Sequence, residues 1–350
     1  MPVKKETESK GYVQLKSDLK ENTVASAYVF YGEETYLREY YLDQLRKKLI
    51  PAGFEEFNYH KLQGKGLTVQ ALGDIVEALP MMCEKTLVTV TDLDLFKLPE
   101  EQRNQMVALL SDLPEYCCLV FVYDILEYKP DRKMKKLYTA LTDAARIVEF
   151  KAQGQSDLIN WIGRRFKALG KDIDRQSAEH LIFTCGSLMT GLIPEIEKIA
   201  AYTRGPQVTV KEINAVADPV IDAMIYDITN EISRGNYDKA ADTLGKLLKM
   251  QEEPIVILAL IGKELRKLYT ACIAIEGGKD RYWLMDIWNM RSDYPAKLLL
   301  SSARNFSKEW CRDGILMCKK LDLQMKSQNG FDSQGELKLL LMRLAQGVRR

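Results

Sequence analysis

Short apolar runs alternate with longer amphipathic stretches over the first 150 residues. The runs are rich in β-branched and aromatic residues, which predicts strands at residues 27–31, 57–62, 87–91, 118–123 and 147–150. Between them, apolar residues at three- and four-residue spacing predict helices at residues 35–50, 68–79, 100–113 and 131–144. Strands that alternate with helices are typical of a parallel sheet with crossover helices. Residues 1–150 are therefore predicted to form a doubly wound α/β domain.

The strand pattern ends at residue 150, and helical periodicity continues from there to the C-terminus. The first helix predicted after this point has one apolar stripe, which consists of Ile159, Ile162, Phe166 and Leu169. Further helices are predicted around residues 181–183 and 192–200, and Thr209 with Glu212 fits a capping box at the start of another. Residues 151–216 are therefore predicted to form a small all-α domain.

Helix-breaking pairs divide residues 217–350, among them Gly235-Asn236, Glu253-Pro254 and Gly277-Gly278. Their spacing predicts about six helices in this part of the chain. The predicted fold class is thus an α/β N-terminal domain, at residues 1–150, followed by two all-α domains, at residues 151–216 and 217–350.

The composition limits the class of protein. Apolar residues at 46% and charged residues at 28% are typical of a globular chain, and 350 residues exceed the size of a single core. The N-terminal segment is too charged for a secretory signal, and the apolar run at residues 256–261 is too short to span a bilayer. Seven cysteines, an odd number, favour free buried thiols over a disulfide framework. We predict a cytoplasmic protein.

Charge is balanced, with 50 basic and 49 acidic side chains and a net charge of +1. No field over the whole surface attracts a phosphate backbone, so any contact with nucleic acid must be local. A basic cluster lies at a predicted helix start and consists of Lys129, Arg132, Lys133, Lys135 and Lys136. Because no aromatic residues interleave it, a solvated helix face is favoured over a phosphate contact. The candidates for a DNA contact are Lys133, Lys135 and Lys136.

The loop after the first strand lies where a nucleotide-binding protein places its phosphate loop. Gly32 fits the first glycine of the motif G-x-x-x-x-G-K-[ST]. The last three positions of the motif instead hold Leu37, Arg38 and Glu39. The carboxylates of Glu33 and Glu34 would also repel triphosphate oxygens. The sequence therefore predicts a degenerate loop that does not bind nucleotide.

Other candidate sites in the sequence favour structural roles. Asp92 follows the third strand, near the position of a Walker B acid, but without a lysine loop a turn at the strand end is favoured. The only histidines are His60 and His180, and no C-x-x-C motif occurs. Cys311 and Cys318 lie seven residues apart on one predicted helix face, which favours core packing. We predict no catalytic residue, no metal and no cofactor.

Two adjacent methionines, Met81 and Met82, occupy a turn between a helix that ends near Pro80 and the third strand. Apolar side chains are usually buried, so the pattern alone favours their covering the end of the sheet. The alternative is an exposed wedge that enters a partner's pocket. Each side chain would then contribute roughly 1.5 to 3 kcal/mol if it were fully buried there.

Three passages give the whole chain a resemblance to the delta-subunit family of bacterial DNA polymerase III clamp loaders. Residues 28–39, Tyr-Val-Phe-Tyr-Gly-Glu-Glu-Thr-Tyr-Leu-Arg-Glu, look like the degenerate strand-loop-helix of that family. Residues 79–85 match the place of its clamp-gripping wedge, and the side chains that align are Leu79, Met81 and Met82. The C-terminal pattern of the family is similar to residues 261–269, 294–297 and 303–307.

The resemblance implies an AAA+-like (RecA-like) N-terminal module, a helical lid and a helical collar. In that family the collar joins the motor subunits (tau and gamma) and delta-prime in a pentamer, and ATP is hydrolysed in the motor subunits. The wedge would bind the beta sliding clamp and hold its ring open so that primed DNA enters. The chain would have no intrinsic activity and would belong to a DNA-directed DNA polymerase, a nucleotidyltransferase, at the level of the complex. Met81 and Met82 stand where some relatives have leucine and phenylalanine.

Two alternatives stay open at the level of the sequence. One is a divergent P-loop ATPase or phosphotransferase, which a nucleotide titration would detect. The other is a passive subunit similar to delta-prime. The sequence has no four-cysteine zinc module, which argues against this second alternative, because those relatives usually carry one in the N-terminal domain.

Overall fold

The computed structural model of the chain describes residues 10–328 and 330–347. The outer limits of the first and last predicted domains, residues 1 and 350, lie outside the described residues. The chain divides into two compact units, Met1–Gln153 with Leu188–Thr190 and Gly154–Ser187 with Gly191–Arg350. The change from α/β pattern to helical pattern near residue 151 thus falls close to the division between the units.

The first unit contains a five-stranded parallel sheet in the order β2-β3-β4-β1-β5. Its strands are β1 (Ala27–Tyr31), β2 (Tyr59–Gln63), β3 (Thr86–Thr91), β4 (Cys117–Val122) and β5 (Ala145–Glu149). The inner strands β3, β4 and β1 are almost entirely buried, which explains why β1 and β4 are continuous runs of apolar and aromatic residues and why the threonines of β3 are accompanied by leucine and valine. The predicted parallel α/β fold is confirmed.

Six helices surround this sheet among the described residues. They are α1 (Lys10–Glu21), α2 (Thr35–Leu49), α3 (Glu55–Asn58), α4 (Val69–Val76), α5 (Glu100–Ser111) and α6 (Lys135–Ala144). The second strand was predicted to start at residue 57, which is wrong because Phe57 belongs to the short helix α3. The helix predicted at residues 68–79 ends at Val76, so Leu79 lies outside it, as expected for a residue that precedes a proline.

Helix α1 was not predicted at all. It lies against strand β5 so closely that a Cβ atom on Gly11 would collide with the carbonyl oxygen of Ile147. Its Asp18 is fully buried, forms an ion pair with Arg146 and accepts a hydrogen bond of 2.8 Å from the hydroxyl of Tyr28. A lysine-rich helix that buries an aspartate has no clear apolar stripe, which is why the sequence pattern did not indicate it.

The second unit is mostly helical. Its helices are α7 (Gln155–Ala168), α8 (Arg175–Cys185), α9 (Met189–Tyr202, whose first two residues belong to the first unit), α10 (Val210–Val216), α11 (Ile221–Ser233), α12 (Tyr237–Lys249), α13 (Pro254–Glu276), α14 (Arg281–Trp288), α15 (Asp293–Ala303), α16 (Lys308–Ser327) and α17 (Ser333–Gly347). The described residues after residue 217 therefore contain seven helices, where about six were predicted.

The structure of residues 151–216 agrees only in part with the sequence predictions for that region. The capping box of Thr209 and Glu212 is present at the start of α10. The stripe predicted for α7 is partly wrong, because Leu169 follows the helix and is exposed, and Leu158 and Trp161 are buried beside Ile162 and Phe166. Residues 151–216 are not entirely helical, since β6 (Asp172–Ile173) and β7 (Gln207–Val208) form a parallel pair. Strands of two residues are too short to produce a period.

Helices on both sides of residue 217 pack together inside the second unit. The ring of Phe183 on α8 makes an edge contact with that of Tyr226 on α11, and His180 Nδ1 lies 3.0 Å from the hydroxyl of Tyr294 on α15. Helix α13 lies at the centre of the larger helical core, and its buried residues include Leu258, Leu265 and Leu268. The division into a separate lid and collar remains a prediction.

Among the described residues, every helix is too short or too polar to pass through a lipid bilayer.

Candidate functional site

The segment between α4 and β3 exposes three apolar side chains, which we call the wedge: Leu79, Met81 and Met82. Their exposed fractions are 75%, 53% and 83%. The segment precedes β3, so it lies at the edge of the sheet formed by the amino ends of the strands. The methionines thus extend into solvent and do not cover the end of the sheet. Apolar side chains grouped on one loop are a feature of protein-binding surfaces.

The backbone of this segment is held by side chains from outside it. Asn58, which is fully buried, accepts a hydrogen bond from the amide of Met81 (2.8 Å) and donates one to the carbonyl of Met81 (3.0 Å). The same amide group donates to the carbonyl of Phe54 at 2.9 Å. A second tether is the hydroxyl of Tyr116, which donates to the carbonyl of Glu77 at 2.8 Å. The loop is therefore fixed although its apolar side chains are exposed.

Met82 has a φ of +55°, in the left-handed region that side chains other than glycine rarely adopt. This conformation costs about 1 kcal/mol. It persists only where surrounding contacts determine the backbone, and such positions are often functional. The role of Asn58 was missed in the sequence because nothing in the local pattern links it to Met81, which lies 23 residues further along the chain.

The opposite edge of the sheet, at the carboxyl ends of the strands, holds the loop that was predicted to be a degenerate phosphate loop. Gly32 has a φ of +121°, and any Cβ atom there would collide with the backbone of Phe150. The amide of Glu34 donates to the carbonyl of Phe150 at 3.0 Å. The loop therefore closes onto the chain that follows β5, whereas a phosphate loop must leave its amides free for the ligand.

Arg38 fills the space between the carboxyl ends of β1 and β4. Its side chain is buried, and its guanidinium donates to the carbonyls of Gly32 (3.2 Å) and Tyr123 (2.9 Å) and forms an ion pair with Asp124. In α/β proteins, ligands bind in the crevice at the carboxyl ends of the strands, and in this chain Arg38 occupies that crevice. Of the neighbouring motif positions, Leu37 is buried and Glu39 is exposed.

Glu34 adds a buried carboxyl group at the same edge. One of its oxygens accepts a hydrogen bond from the amide of Met189 at 3.3 Å, where helix α9 begins. The other oxygen has no hydrogen-bond partner among the described residues. Burial raises the pKa of Glu34 above its ordinary value. A carboxyl group of this chain therefore already occupies this helix N-terminus, a position at which anionic ligands are otherwise favoured.

Asp92 is a turn residue, which confirms the structural interpretation of this acid. Its carboxylate accepts hydrogen bonds from the amides of Asp124 (2.9 Å), Ile125 (3.1 Å) and Leu126 (3.0 Å). With its oxygens engaged by backbone amides, Asp92 holds the loop after β4 in place. The same loop exposes Ile125, with an exposed fraction of 88%.

The lysines proposed for a DNA contact lie on the turn before α6 and in its first turn. Lys133, Lys135 and Lys136 are exposed, and none forms an ion pair with another described residue. Lys129, by contrast, pairs with Glu127 at 2.6 Å. Helix α6 begins at Lys135, later than predicted, so two lysines lie at the positive end of a helix dipole. Their role stays a prediction.

Within residues 10–328 and 330–347, no three His, Cys, Asp or Glu side chains converge in a way that could hold a metal ion. The cysteines are free thiols, as predicted. Cys311 and Cys318 are both buried in the helical core. The neighbouring Cys311 side chain lowers the pKa of the Cys272 thiol, whose sulfur lies 3.7 Å from the carbonyl oxygens of Ala303 and Phe306.

Comparison with known proteins matches most of both units. Residues 28–151 match the family model described as DNA polymerase III, delta subunit, and residues 222–344 match that of the DNA polymerase III delta subunit, C-terminal domain. The DNA polymerase III subunit delta of Bacillus subtilis is 27% identical over 93% of this chain and 94% of its own length. A probable subunit delta of Aquifex aeolicus is 22% identical over 84% of each chain.

A solved structure, the DNA clamp loader delta protein of Bacillus subtilis, has the same fold. It superposes with a TM-score of 0.51 at 23% identity and covers 95% of this chain and 99% of its own. The two family models together span more than half of the sequence, in the same order as the α/β and helical regions of the structure. The chain therefore belongs to the family of DNA polymerase III delta subunits.

Proposed function

We propose that this chain is a clamp-loader subunit that binds the beta sliding clamp through the wedge and stabilises an open or strained ring. In this role it helps to load the clamp on primed DNA and does not itself hydrolyse ATP. The family makes it a component of DNA polymerase III, and the name of its Bacillus subtilis structural relative includes the words clamp loader. The alternative of a delta-prime-like subunit is not supported, because both matched family models describe delta.

The observation that carries the clamp-binding proposal is the exposure of Leu79, Met81 and Met82 on a fixed loop. Exposed apolar side chains gain free energy only when a partner covers them, at about 25 cal/mol per Å² of buried area. Methionine side chains are flexible and adapt to the shape of a pocket. To open a ring, the chain must bind the open form more tightly than the closed form, since a ligand shifts an equilibrium only by its preference for one state.

The absence of ATP hydrolysis is supported by the filled edge of the sheet. Arg38 occupies the crevice with a guanidinium that already donates to two carbonyls and pairs with a carboxylate. The motif lysine and hydroxyl are absent, and the carboxyl groups of Glu33 and Glu34 would face a triphosphate. These features argue against the alternative of a divergent P-loop ATPase.

Assembly with the motor subunits (tau and gamma) and delta-prime is proposed for residues 217–350. Helices α16 and α17 expose four large apolar side chains, Leu316, Leu323, Leu339 and Met342. Leu316 and Leu323 are seven residues apart and share one face of α16. Primed DNA would reach Lys133, Lys135 and Lys136 in the assembled complex. No cofactor is proposed.

The test is binding of the purified chain to the sliding clamp of its own organism, measured by surface plasmon resonance. A variant with Leu79→Ser, Met81→Ser and Met82→Ser is expected to lose at least about 100-fold in affinity, because three side chains lose their burial in the complex. The matched control is Ile125→Ser, which also removes an exposed apolar side chain from the first unit, but at the carboxyl edge of the sheet. This control is expected to bind like the wild type.

Two results would contradict the proposal. If the wild-type chain shows no clamp binding, the role of the chain in clamp opening is wrong. If the wild type binds and the triple variant binds equally well, the chain contacts the clamp through another surface.

A further inference from the structure

We propose that Asn58 is a positioning residue that holds the wedge in the conformation that enters the clamp. The partner in this inference rests on the proposed function, whereas the effect of Asn58 on the loop does not. Its buried side chain makes three hydrogen bonds, two to the backbone of Met81 and one to that of Phe54.

The side-chain amide of Asn58 forms hydrogen bonds with both the backbone amide and the backbone carbonyl of Met81, as the backbone of a neighbouring strand does in a sheet. Its Oδ1 accepts from the amide of Met81, and its Nδ2 donates to the carbonyl of the same residue, at 2.8 Å and 3.0 Å. The second hydrogen of Nδ2 is used by the carbonyl of Phe54 at 2.9 Å. Both donors of the amide are therefore satisfied, which fixes the orientation of the side chain as well as that of the loop.

Asparagine suits this position because of its chemistry. Aspartate would keep the acceptor but would place a carboxylate against the carbonyl oxygens of Met81 and Phe54, where donors are required. Leucine has a similar shape but neither donor nor acceptor, so the amide and carbonyl of Met81 would lose both partners. Burial of Asn58 keeps water from replacing these bonds.

The tether matters because the wedge side chains are exposed before binding. A free loop with Leu79, Met81 and Met82 would sample many conformations, and binding would then cost the entropy of selecting one of them. The left-handed φ of Met82, the residue after the tether, shows that the backbone is held in an unfavourable state. Asn58 therefore pre-organises the loop, and removing it should weaken clamp binding without removing any contact with the clamp.

Two variants and one control separate positioning from general stability. Asn58→Leu removes all three hydrogen bonds, and Asn58→Asp retains only the acceptor. The control is Leu110→Ala, which leaves a cavity in the core of the same unit but removes none of the hydrogen bonds that hold the wedge segment. All three variants are compared as full-length chains, with their unfolding transitions recorded.

The first measurement is amide hydrogen exchange of the isolated chain, followed at Met81, whose amide is the one bound by Asn58. In Asn58→Leu the exchange is expected to be at least roughly tenfold faster at Met81, because a hydrogen bond protects the amide until it opens. Amides of β3 and β4 should keep their wild-type rates. Unchanged exchange at Met81 would overturn the proposal whatever the clamp does.

The second measurement is a double-mutant cycle for clamp binding with Met82→Ser. Alone, Asn58→Leu is expected to weaken binding roughly tenfold, equivalent to about 1.4 kcal/mol. In the Met82→Ser background its effect should be clearly smaller, because less of the wedge remains to be positioned. Leu110→Ala should have the same effect in both backgrounds. Equal losses for Asn58→Leu in both backgrounds would mean a general structural role.

The results distinguish the two proposals from each other. If the wild-type chain does not bind the clamp, the proposed function fails, while the exchange at Met81 still decides whether Asn58 fixes the loop. If exchange at Met81 accelerates but Asn58→Leu binds the clamp like the wild type, the clamp-binding function stands and the positioning role in binding is overturned.

Discussion

The two edges of the sheet in the first unit differ in how their side chains are satisfied. At the carboxyl edge, Arg38, Asp92 and Glu34 are directed at backbone groups and an acid of the same chain. At the amino edge, the backbone near Met81 is satisfied by Asn58, but the apolar side chains of the wedge have no cover. A fold that often binds ligands at its carboxyl edge has therefore closed that edge in this chain, and it exposes a group of apolar side chains at the other edge.

The largest effect is expected from Arg38→Ala, which removes the side chain that closes the carboxyl edge of the sheet. The carbonyls of Gly32 and Tyr123 and the carboxylate of Asp124 would lose their donor. We expect the free energy of unfolding to fall by roughly 2–4 kcal/mol, discounted because Asp124 is partly exposed. Chemical denaturation measures this loss. A titration with ATP should show no binding by either chain, and micromolar affinity in the wild type that the variant loses would support a nucleotide site.

Lys133, Lys135 and Lys136 also lie on the carboxyl side of the sheet, on the turn before α6 and in its first turn. Changing all three to glutamine in the assembled clamp loader is expected to weaken binding to primed DNA roughly tenfold at low salt. The slope of log affinity against log salt should fall by about 0.9 for each phosphate that the variant no longer neutralises. A suitable control is Lys47→Gln, whose lysine already pairs with Asp43. An unchanged affinity and slope would leave these lysines as a solvated helix face.

A smaller effect is expected from Glu34→Gln, which tests whether the buried carboxyl group of Glu34 destabilises the folded chain. Burial raises the pKa of Glu34 in the folded state above its ordinary value of 4.5. The stability linked to this group is therefore present below pH 4.5 and is lost as the pH rises through the raised pKa. The variant stays neutral, so its advantage over the wild type should grow with pH, to on the order of 1 kcal/mol at pH 7. Denaturation at pH 4 and pH 7 measures this, and an advantage that shrinks with pH would contradict it.

The smallest effect is expected from Met82→Leu, at the amino edge of the sheet. Met82→Leu keeps the apolar volume of the wedge, so clamp affinity should change by less than about threefold. Met82→Ser, measured in parallel, should lower clamp affinity about tenfold or more, since it removes most of the apolar surface of this side chain. The same plasmon-resonance assay measures both variants. Equal losses for leucine and serine would mean that the clamp pocket requires the shape of methionine, not its apolar area.

Much of the fold could be predicted because it depends on local periodicity. Buried parallel strands favour apolar and β-branched residues on both faces, so β4 appears as an uninterrupted apolar run and β3 consists of leucine, valine and threonine. Helix α1 could not be predicted in this way, since one of its buried residues is the aspartate Asp18. Its burial depends on Arg146, far away in the chain.

The candidate site was predicted only in part. The pattern alone favoured burial of Met81 and Met82, and it was the family resemblance that indicated the exposed wedge. The failed phosphate-loop motif was visible in the sequence, but the reason that the crevice is closed was not. Arg38 reaches the carbonyl of Tyr123, and Glu34 reaches the amide of Met189, which are 85 and 155 residues away. Pairings at such distances leave no trace in a local pattern.

The strand order also affects how the chain folds while it is being synthesised. Strand β1 is made first but lies between β4 and β5, so it has no sheet partner until β4 has been made. At about 5–20 residues per second, the ribosome needs roughly 4 to 17 seconds to make the segment between them. During that interval the apolar strand β1 has no neighbouring strand, and such unpaired strand edges are prone to aggregate. Helix α1 precedes every strand, but it cannot cover β5 until that strand, the last of the sheet, has been made.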